Sequence, residues 1–275
     1  MRKITIITGA SSGIGAEFAR QIYRDCAGAA DENNPSEIWL FARSRERLES
    51  VKSELESGQD AEGRPHVRTV PMNLAGKEGV KLLNDFLATE KNSGAYRIRM
   101  LVNNAGFGTY GPFDETPLDR ELEMIDLNCT ALTGICGAVL PYLESGSTII
   151  NVSSLAAFLP LGNFAVYAAT KAYALSFSVA LAAELKDKGI SVCALCPGSV
   201  STDFANVASN GARKEVLHGK DPAAVVAHCL RKAKKGKRII LWSPKWKITA
   251  FMSRLIGRYA GARYTFKHNK RPYKK

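Results

Sequence analysis

Seven short runs of β-branched and apolar residues punctuate the chain: ITIIT (4–8), IWLFA (38–42), VRTVPMNL (67–74), RMLVNNAG (99–106), STIINVSS (147–154), ISVCAL (190–195) and RIILW (238–242). Between them, apolar residues fall three and four apart, as at Leu48, Val51 and Leu55 and at Val80, Leu83, Phe86 and Leu87, which is the period of a helix with one buried face. Each return to a parallel strand needs a crossover long enough to be a helix. The alternation therefore predicts an α/β fold with a doubly wound, seven-stranded parallel sheet and helices on both faces. Asp221 before Pro222 predicts the N-cap and first residue of a helix over PAAVVAHCLRKAKK, the last crossover before RIILW. The polar stretches AGAADENNPS (27–36) and ESGQDAEGRPH (56–66) predict surface loops. No repeat or linker divides the chain.

At 275 residues, with 45% hydrophobic and 23% charged residues, the chain can bury one large core, expected over residues 1–244. The first strand begins almost at Met1 and leaves no room for a leader, and Arg254 and Arg258 interrupt the late stretch closest to a membrane span. The six cysteines lie far apart, which predicts reduced thiols and a cytoplasmic setting. Cys193 and Cys196 form a CxxC, but on a strand residues three apart point to opposite faces, so the reading is two buried small hydrophobes and no metal. The formal charge of +12 is uneven: the last 45 residues hold 16 Lys and Arg and no Asp or Glu, against 22 basic and 26 acidic residues before them. That asymmetry points to contact of the tail with phosphate or anionic lipid.

The first strand runs into Thr8-Gly9-Ala10-Ser11-Ser12-Gly13-Ile14-Gly15 and then a helical stretch. A strand-to-helix turn that holds a pyrophosphate needs backbone without Cβ, so that N–H groups and the helix N-terminus reach the phosphate oxygens. The second strand ends at Ala42 without the carboxylate that would accept the ribose hydroxyls of NAD, and Arg43 follows. A guanidinium fork suits a 2′-phosphate, so NADP(H) is favoured over NAD(H).

Taken together, TGASSGIG, NNAG (103–106), Asn128, Ser154, Tyr167-x-x-x-Lys171 and Pro197-Gly198 resemble the short-chain dehydrogenase/reductase family over roughly residues 1–245. The resemblance implies a Rossmann-like fold and a catalytic set of Ser154, Tyr167 and Lys171, extended by Asn128 through a water relay. The resemblance places the active serine 13 residues before the tyrosine, which selects Ser154 over Ser153. It further implies cofactor contacts from Gly9, Ser11, Ser12, Gly13, Ile14, Gly15, Arg43, Asn73, Leu74, Asn104, Ala105, Gly106, Tyr167, Lys171, Pro197, Gly198, Val200 and Thr202. Asn73 stands where many members carry Asp; both accept a hydrogen bond from an adenine amino group, and an uninvolved turn residue is the other reading.

Tyr167 and Lys171, four apart in an alanine-rich helical stretch, share a face. An ammonium at about 4 Å and an effective dielectric of about 20 contributes roughly 4 kcal/mol, about three pKa units, which would bring the phenol near 7 if desolvation did not oppose it. Ser154 then donates to a carbonyl oxygen as it gains charge while Tyr167 delivers a proton. This describes an oxidoreductase interconverting a ketone or aldehyde and an alcohol.

The resemblance implies that the segment from Ser199 to about Lys220, with Phe204 and Val207 in it, lies over the substrate, and Phe107, Tyr110, Phe158, Leu159 and Phe164 are expected to line an apolar pocket for a lipophilic ketone or alcohol. Beyond it, residues 245–275 form a basic extension in which Ile248, Phe251, Met252, Leu255, Ile256 and Tyr259 recur at helical spacing, predicting one amphipathic helix. Such a helix lies on an anionic membrane surface, packs on a partner subunit or covers the domain's own pocket. The family resemblance implies a homodimer or homotetramer. An NADP-binding redox sensor without turnover would not need Ser154, Tyr167 and Lys171 together, and nucleic-acid binding has only the tail's charge in its favour.

Overall fold

The computed structural model describes residues 1–26, 34–57, 63–214, 216 and 218–274; the two polar stretches between the first elements fall mostly on 27–33 and 58–62, outside the described residues. The seven strands are β1 (Arg2–Thr8), β2 (Glu37–Ala42), β3 (His66–Pro71), β4 (Tyr96–Asn103), β5 (Thr148–Val152), β6 (Ser191–Leu195) and β7 (Ile239–Ile240). They form one sheet in the order β3-β2-β1-β4-β5-β6-β7, and every neighbouring pair is parallel. The strand order reverses direction beside β1, and the crevice at the carboxyl ends of β1 and β4 is where such sheets bind ligands.

The crossovers are the helices α1 (Gly13–Asp25), α2 (Arg45–Glu56), α3 (Gly76–Asn92), α4 (Leu118–Ile125), α5 (Leu132–Val139), α6 (Ala165–Glu184), α7 (Phe204–Ala208) and α8 (Pro222–Lys234). One face of the sheet carries α1, α2 and α8 through Phe18, Ile22, Leu48, Val51, Leu55, Val225 and Cys229. The other carries α3, α5 and α6 through Leu83, Leu87, Ile135, Val139, Leu181 and Leu185. The three-and-four spacing therefore marks the buried faces correctly. The stretches Leu118–Tyr142 and Ala165–Glu184 are long and apolar enough to cross a bilayer by length and composition, yet here both contribute residues to the core against the sheet.

Asp221 caps α8 as its sequence indicates, its carboxylate accepting from the N–H groups of Ala223 (3.0 Å) and Ala224 (3.3 Å). The third strand stops at Pro71 rather than running to Leu74: Met72 donates to Ala42 O (2.8 Å) and Asn73 Oδ1 then turns back to accept from Ala75 N–H (3.2 Å). The six cysteines are free thiols, with Cys193 packed in the core with Cys229 and Cys196 fully buried.

The basic extension is two helices and a strap, not one amphipathic helix. Helix α9 (Pro244–Met252) ends in a turn, and α10 (Arg258–His268) begins after Gly257, whose extended ψ of 130° breaks the helical path. Trp246 of α9 is buried in the main core and lies against Gly198, where an added Cβ would meet the indole Nε1 at 2.5 Å. Residues 269–274 then run back over the domain, Lys274 N–H donating to Ser209 O (2.9 Å).

Candidate active site

The glycine loop leaves β1 at Thr8 and turns through Gly9 (φ +63°) and Gly13 (φ +54°), a left-handed backbone that other residues adopt only with strain. A Cβ on Gly15 would lie 2.2 Å from the Gly9 carbonyl, so the crossing of loop and helix is available to glycine alone. Ser12 stands at the N-cap of α1 without a side-chain cap, and the first turn holds no acidic residue. The leading N–H groups of α1 thus keep their donors for an external anion, which is the chemistry a pyrophosphate requires.

The second wall of this crevice is Asn103 to Gly106 at the end of β4. Thr8 Oγ1 accepts from the N–H groups of Asn104 and Ala105 (both 2.9 Å), and Asn104 Nδ2 donates to Thr8 O (3.0 Å) and Gly9 O (3.2 Å), tying the two turns together. Gly106 lets the chemistry-bearing side chains come close: a Cβ there would meet Asn128 Oδ1 at 2.7 Å and Lys171 Nζ at 3.4 Å. Arg43 projects into solvent just before Ser44, the N-cap of α2, and forms no ion pair among the described residues. Thr202 packs over Gly13, and Val200 pairs with Lys220, which pins the base of the 199–220 segment shut.

Asn128 lies in a single π-helical turn (Asp126–Ala131) between α4 and α5. Its amide grips the Phe107 backbone in both directions, accepting from N–H (3.1 Å) and donating to the carbonyl (2.9 Å), and also donates to Thr170 Oγ1 (3.1 Å). Ser154, just past β5, is buried; its hydroxyl accepts from Ala156 N–H (3.1 Å) and points at Pro197 O (3.4 Å). Tyr167 and Lys171 are both buried on α6, and Lys171 Nζ donates to Val152 O (2.9 Å) at 5.7 Å from the Tyr167 ring centre. The structure thus brings Asn128, Ser154, Tyr167 and Lys171 to one end of the sheet beside the glycine loop.

The electrostatics depart from the sequence expectation. Burial pushes the Tyr167 phenol above its ordinary value; the facing Ser154 hydroxyl and the charge of Arg271 work against that, and Lys171 is not among the groups that lower it. The Lys171 ammonium itself donates to a strand carbonyl, Val152 O. Burial in turn lowers Lys171 to about 8.

Phe107, Tyr110, Phe164 and Phe204 gather around Tyr167, with Phe164 stacked on its ring at 4.1 Å. Two expected lining residues, and Val207 of the segment expected beside them, do not join them. Phe158 lines a depression between α8 and α9, Leu159 packs against Gly261 of α10, and Val207 is 42% exposed. Two residues the pattern did not single out do approach: Arg271 of the strap over Phe164 (4.9 Å), and Arg213 over Tyr110 (5.9 Å). For Arg271 the one signal in the sequence is a basic tail without a single acid to pair with; Arg213 lies outside that tail and had none.

The short chain dehydrogenase family model matches residues 3–212. A sulfoacetaldehyde reductase of Chromohalobacter salexigens is 33% identical over 216 residues, 77% of this chain and 78% of that one. Among solved structures, a short-chain dehydrogenase from Sphingobium yanoikuyae in complex with NADPH superposes with a TM-score of 0.74 at 26% identity, over 99% of this chain and 98% of that one. The bulky-bulky ketone specific alcohol dehydrogenase from Comamonas testosteroni does so with a TM-score of 0.68 at 25% identity, over 93% and 92%. With its glycine crevice, its serine, tyrosine and lysine at one sheet end and these matches, the chain belongs to the short-chain dehydrogenase/reductase family of oxidoreductases.

Proposed function

We propose that the protein is an NADP(H)-dependent oxidoreductase that interconverts a lipophilic ketone or aldehyde and its alcohol. The observation that carries this reading is the burial of Ser154 and Tyr167 at one end of the sheet, Tyr167 inside an aromatic shell, beside a crevice of bare backbone. The cofactor supplies or accepts a hydride at the substrate carbon when it is bound. Gly9, Ser11, Ser12, Gly13, Ile14 and Gly15 would hold its pyrophosphate. Arg43 would take the 2′-phosphate, Asn73 and Leu74 the adenine, and Asn104, Ala105, Gly106, Pro197, Gly198, Val200 and Thr202 the nicotinamide half.

Ser154 donates to the carbonyl oxygen as it acquires negative charge, and Tyr167 delivers the proton that completes the alcohol. A phenol held above its ordinary value is fully protonated at neutral pH, which suits the donor role of reduction better than the base role of oxidation. Lys171 holds positive charge behind the phenol, and Asn128 fixes the Phe107 turn that forms the wall of the site. Phe164, Phe204 and Tyr110 close over Tyr167, so Phe204 on α7 has to move for a substrate to reach it.

We further read the protein as cytoplasmic and assembled as a homodimer or homotetramer. Exposed Leu118, Leu122 and Ile125 on α4 offer a second copy an apolar face. Peripheral contact with an anionic membrane is supported by exposed Ile248, Phe251, Leu255 and Tyr259 next to a depression lined by Lys232, Lys237, Lys247 and Arg254. The test of the central reading is Tyr167→Phe. Reduction of a panel of ketones with NADPH should fall by about 100- to 10,000-fold while the circular dichroism spectrum and NADPH binding persist. Turnover at the wild-type rate in that folded variant would overturn it.

A further inference from the structure

We propose that Arg213 and Arg271 form a subsite for the anionic group of an oxo acid, holding its carbonyl toward Ser154 and Tyr167. This rests on the oxidoreductase reading and narrows its substrate to a ketone or aldehyde that carries a carboxylate at one end of an apolar body.

Three observations converge on it. The first is position. Arg271 lies over the Phe164 ring (4.9 Å), which is itself stacked on Tyr167 (4.1 Å), while Arg213 and Arg271 both lie over Tyr110 (5.9 and 6.0 Å). The second is missing countercharge. The ion pairs of the described residues use Arg2, Arg20, Arg68, Arg97 and Arg120, and neither of these two. Among the described residues each guanidinium makes one polar contact, Arg271 Nη1 to Gly162 O (3.2 Å) and Arg213 Nη2 to Lys270 O (3.0 Å), so most of each donor fork has no partner there. The third is that the arrangement is built. Asn163 holds the strap in place by donating to the carbonyls of Phe266 (3.0 Å) and Asn269 (3.2 Å), and Lys274 is bound to the 199–220 segment through Ser209 and Asn210.

Two like charges brought together in a partly desolvated place repel each other, and burial lowers Arg271 from its ordinary value. A bound carboxylate relieves both costs. Bidentate guanidinium–carboxylate pairing also fixes orientation, which a purely aromatic pocket does not.

The test uses the full chain with NADPH and compares hexanoate with hexanamide by calorimetry, alongside reduction of pyruvate, acetoacetate and levulinate against their methyl esters. Wild type should bind hexanoate about 10- to 100-fold more tightly than hexanamide and should prefer at least one of the acids over its ester through KM. Arg271→Gln, which keeps a donor for Gly162 O, should abolish the preference and leave hexanamide and NADPH binding unchanged; Arg213→Gln should reduce it. Lys267→Gln, on the outer face of α10, should leave it intact. Equal binding of acid and amide by wild type, or equal weakening of both in Arg271→Gln, would overturn the subsite. Reduction of esters without preference for acids refutes the subsite and spares the oxidoreductase reading. Selective hexanoate binding with no ketone reduced does the opposite.

Discussion

Lys171 shows how burying a single charged residue costs stability. The unfolded chain holds its proton to about 10.5 and the folded chain only to about 8, so between those values the unfolded state binds more protons and wild-type stability rises with pH. Below that window the fold carries a buried charge that one carbonyl partially offsets. Lys171→Met is expected to abolish turnover yet raise stability at pH 7 by about 2 kcal/mol, a Tm increase of about 5 °C, with the gap closing by about pH 10. Thermal melts at the two pH values check this, and equal melting of both proteins at pH 7 would contradict it. In the active protein the same titration should make reduction decline above about pH 8, as the ammonium is lost. Arg43 acts at the same scale by a different route, as an exposed cation with no partner among the described residues. Arg43→Ala should raise KM for NADPH by about 10-fold or more and leave NADH unaffected. Equal effects on both cofactors would remove its assigned role.

Among the elements, the loop before α6 joins the parts that the chain order keeps apart. Asn163 adopts φ +59° and spends its side-chain amide on three carbonyls of α10 and the strap, while Gly162 N–H donates to Thr265 Oγ1 (2.9 Å). Because glycine accepts that φ without strain, Asn163→Gly removes the hydrogen bonds and little else. At about 1 kcal/mol per bond, the strap should open at least 10-fold more often, read as faster amide exchange over residues 265–274 with α1 to α5 unchanged. Unchanged exchange there would show that the strap is held by its ring contacts instead. The π turn at Asn128 is the second such element. A one-residue excess in the α4–α5 path aims an amide at the Phe107 backbone that an unbroken α-helix would carry past it.

At the scale of the molecule, α9 belongs half to the core and half to the surface. Trp246 is buried against Gly198, whereas Ile248 and Phe251, and Leu255 just past the helix, are each at least 60% exposed. Removing the extension would therefore uncover the core, and the membrane contact is better tested by point changes. Phe251→Glu with Leu255→Glu should abolish flotation with phosphatidylserine vesicles and leave ketone reduction unchanged. Flotation equal to wild type would discard the contact, and sedimentation of wild type as a monomer would discard the proposed oligomer. The alternation of strand and helix, the buried helix faces, the N-cap at Asp221 and the glycine loop were all written in local periods and short motifs, because backbone conformation and burial of one face depend on residues a few positions apart. The seating of Arg271 over Phe164, the diversion of Phe158 and Leu159 to α9 and α10, and the hold of Val152 O on the Lys171 ammonium were decided only when the chain closed on itself. Those contacts join segments of about a hundred residues' separation or depend on where a buried charge finds a carbonyl, and no spacing within one segment carries that information.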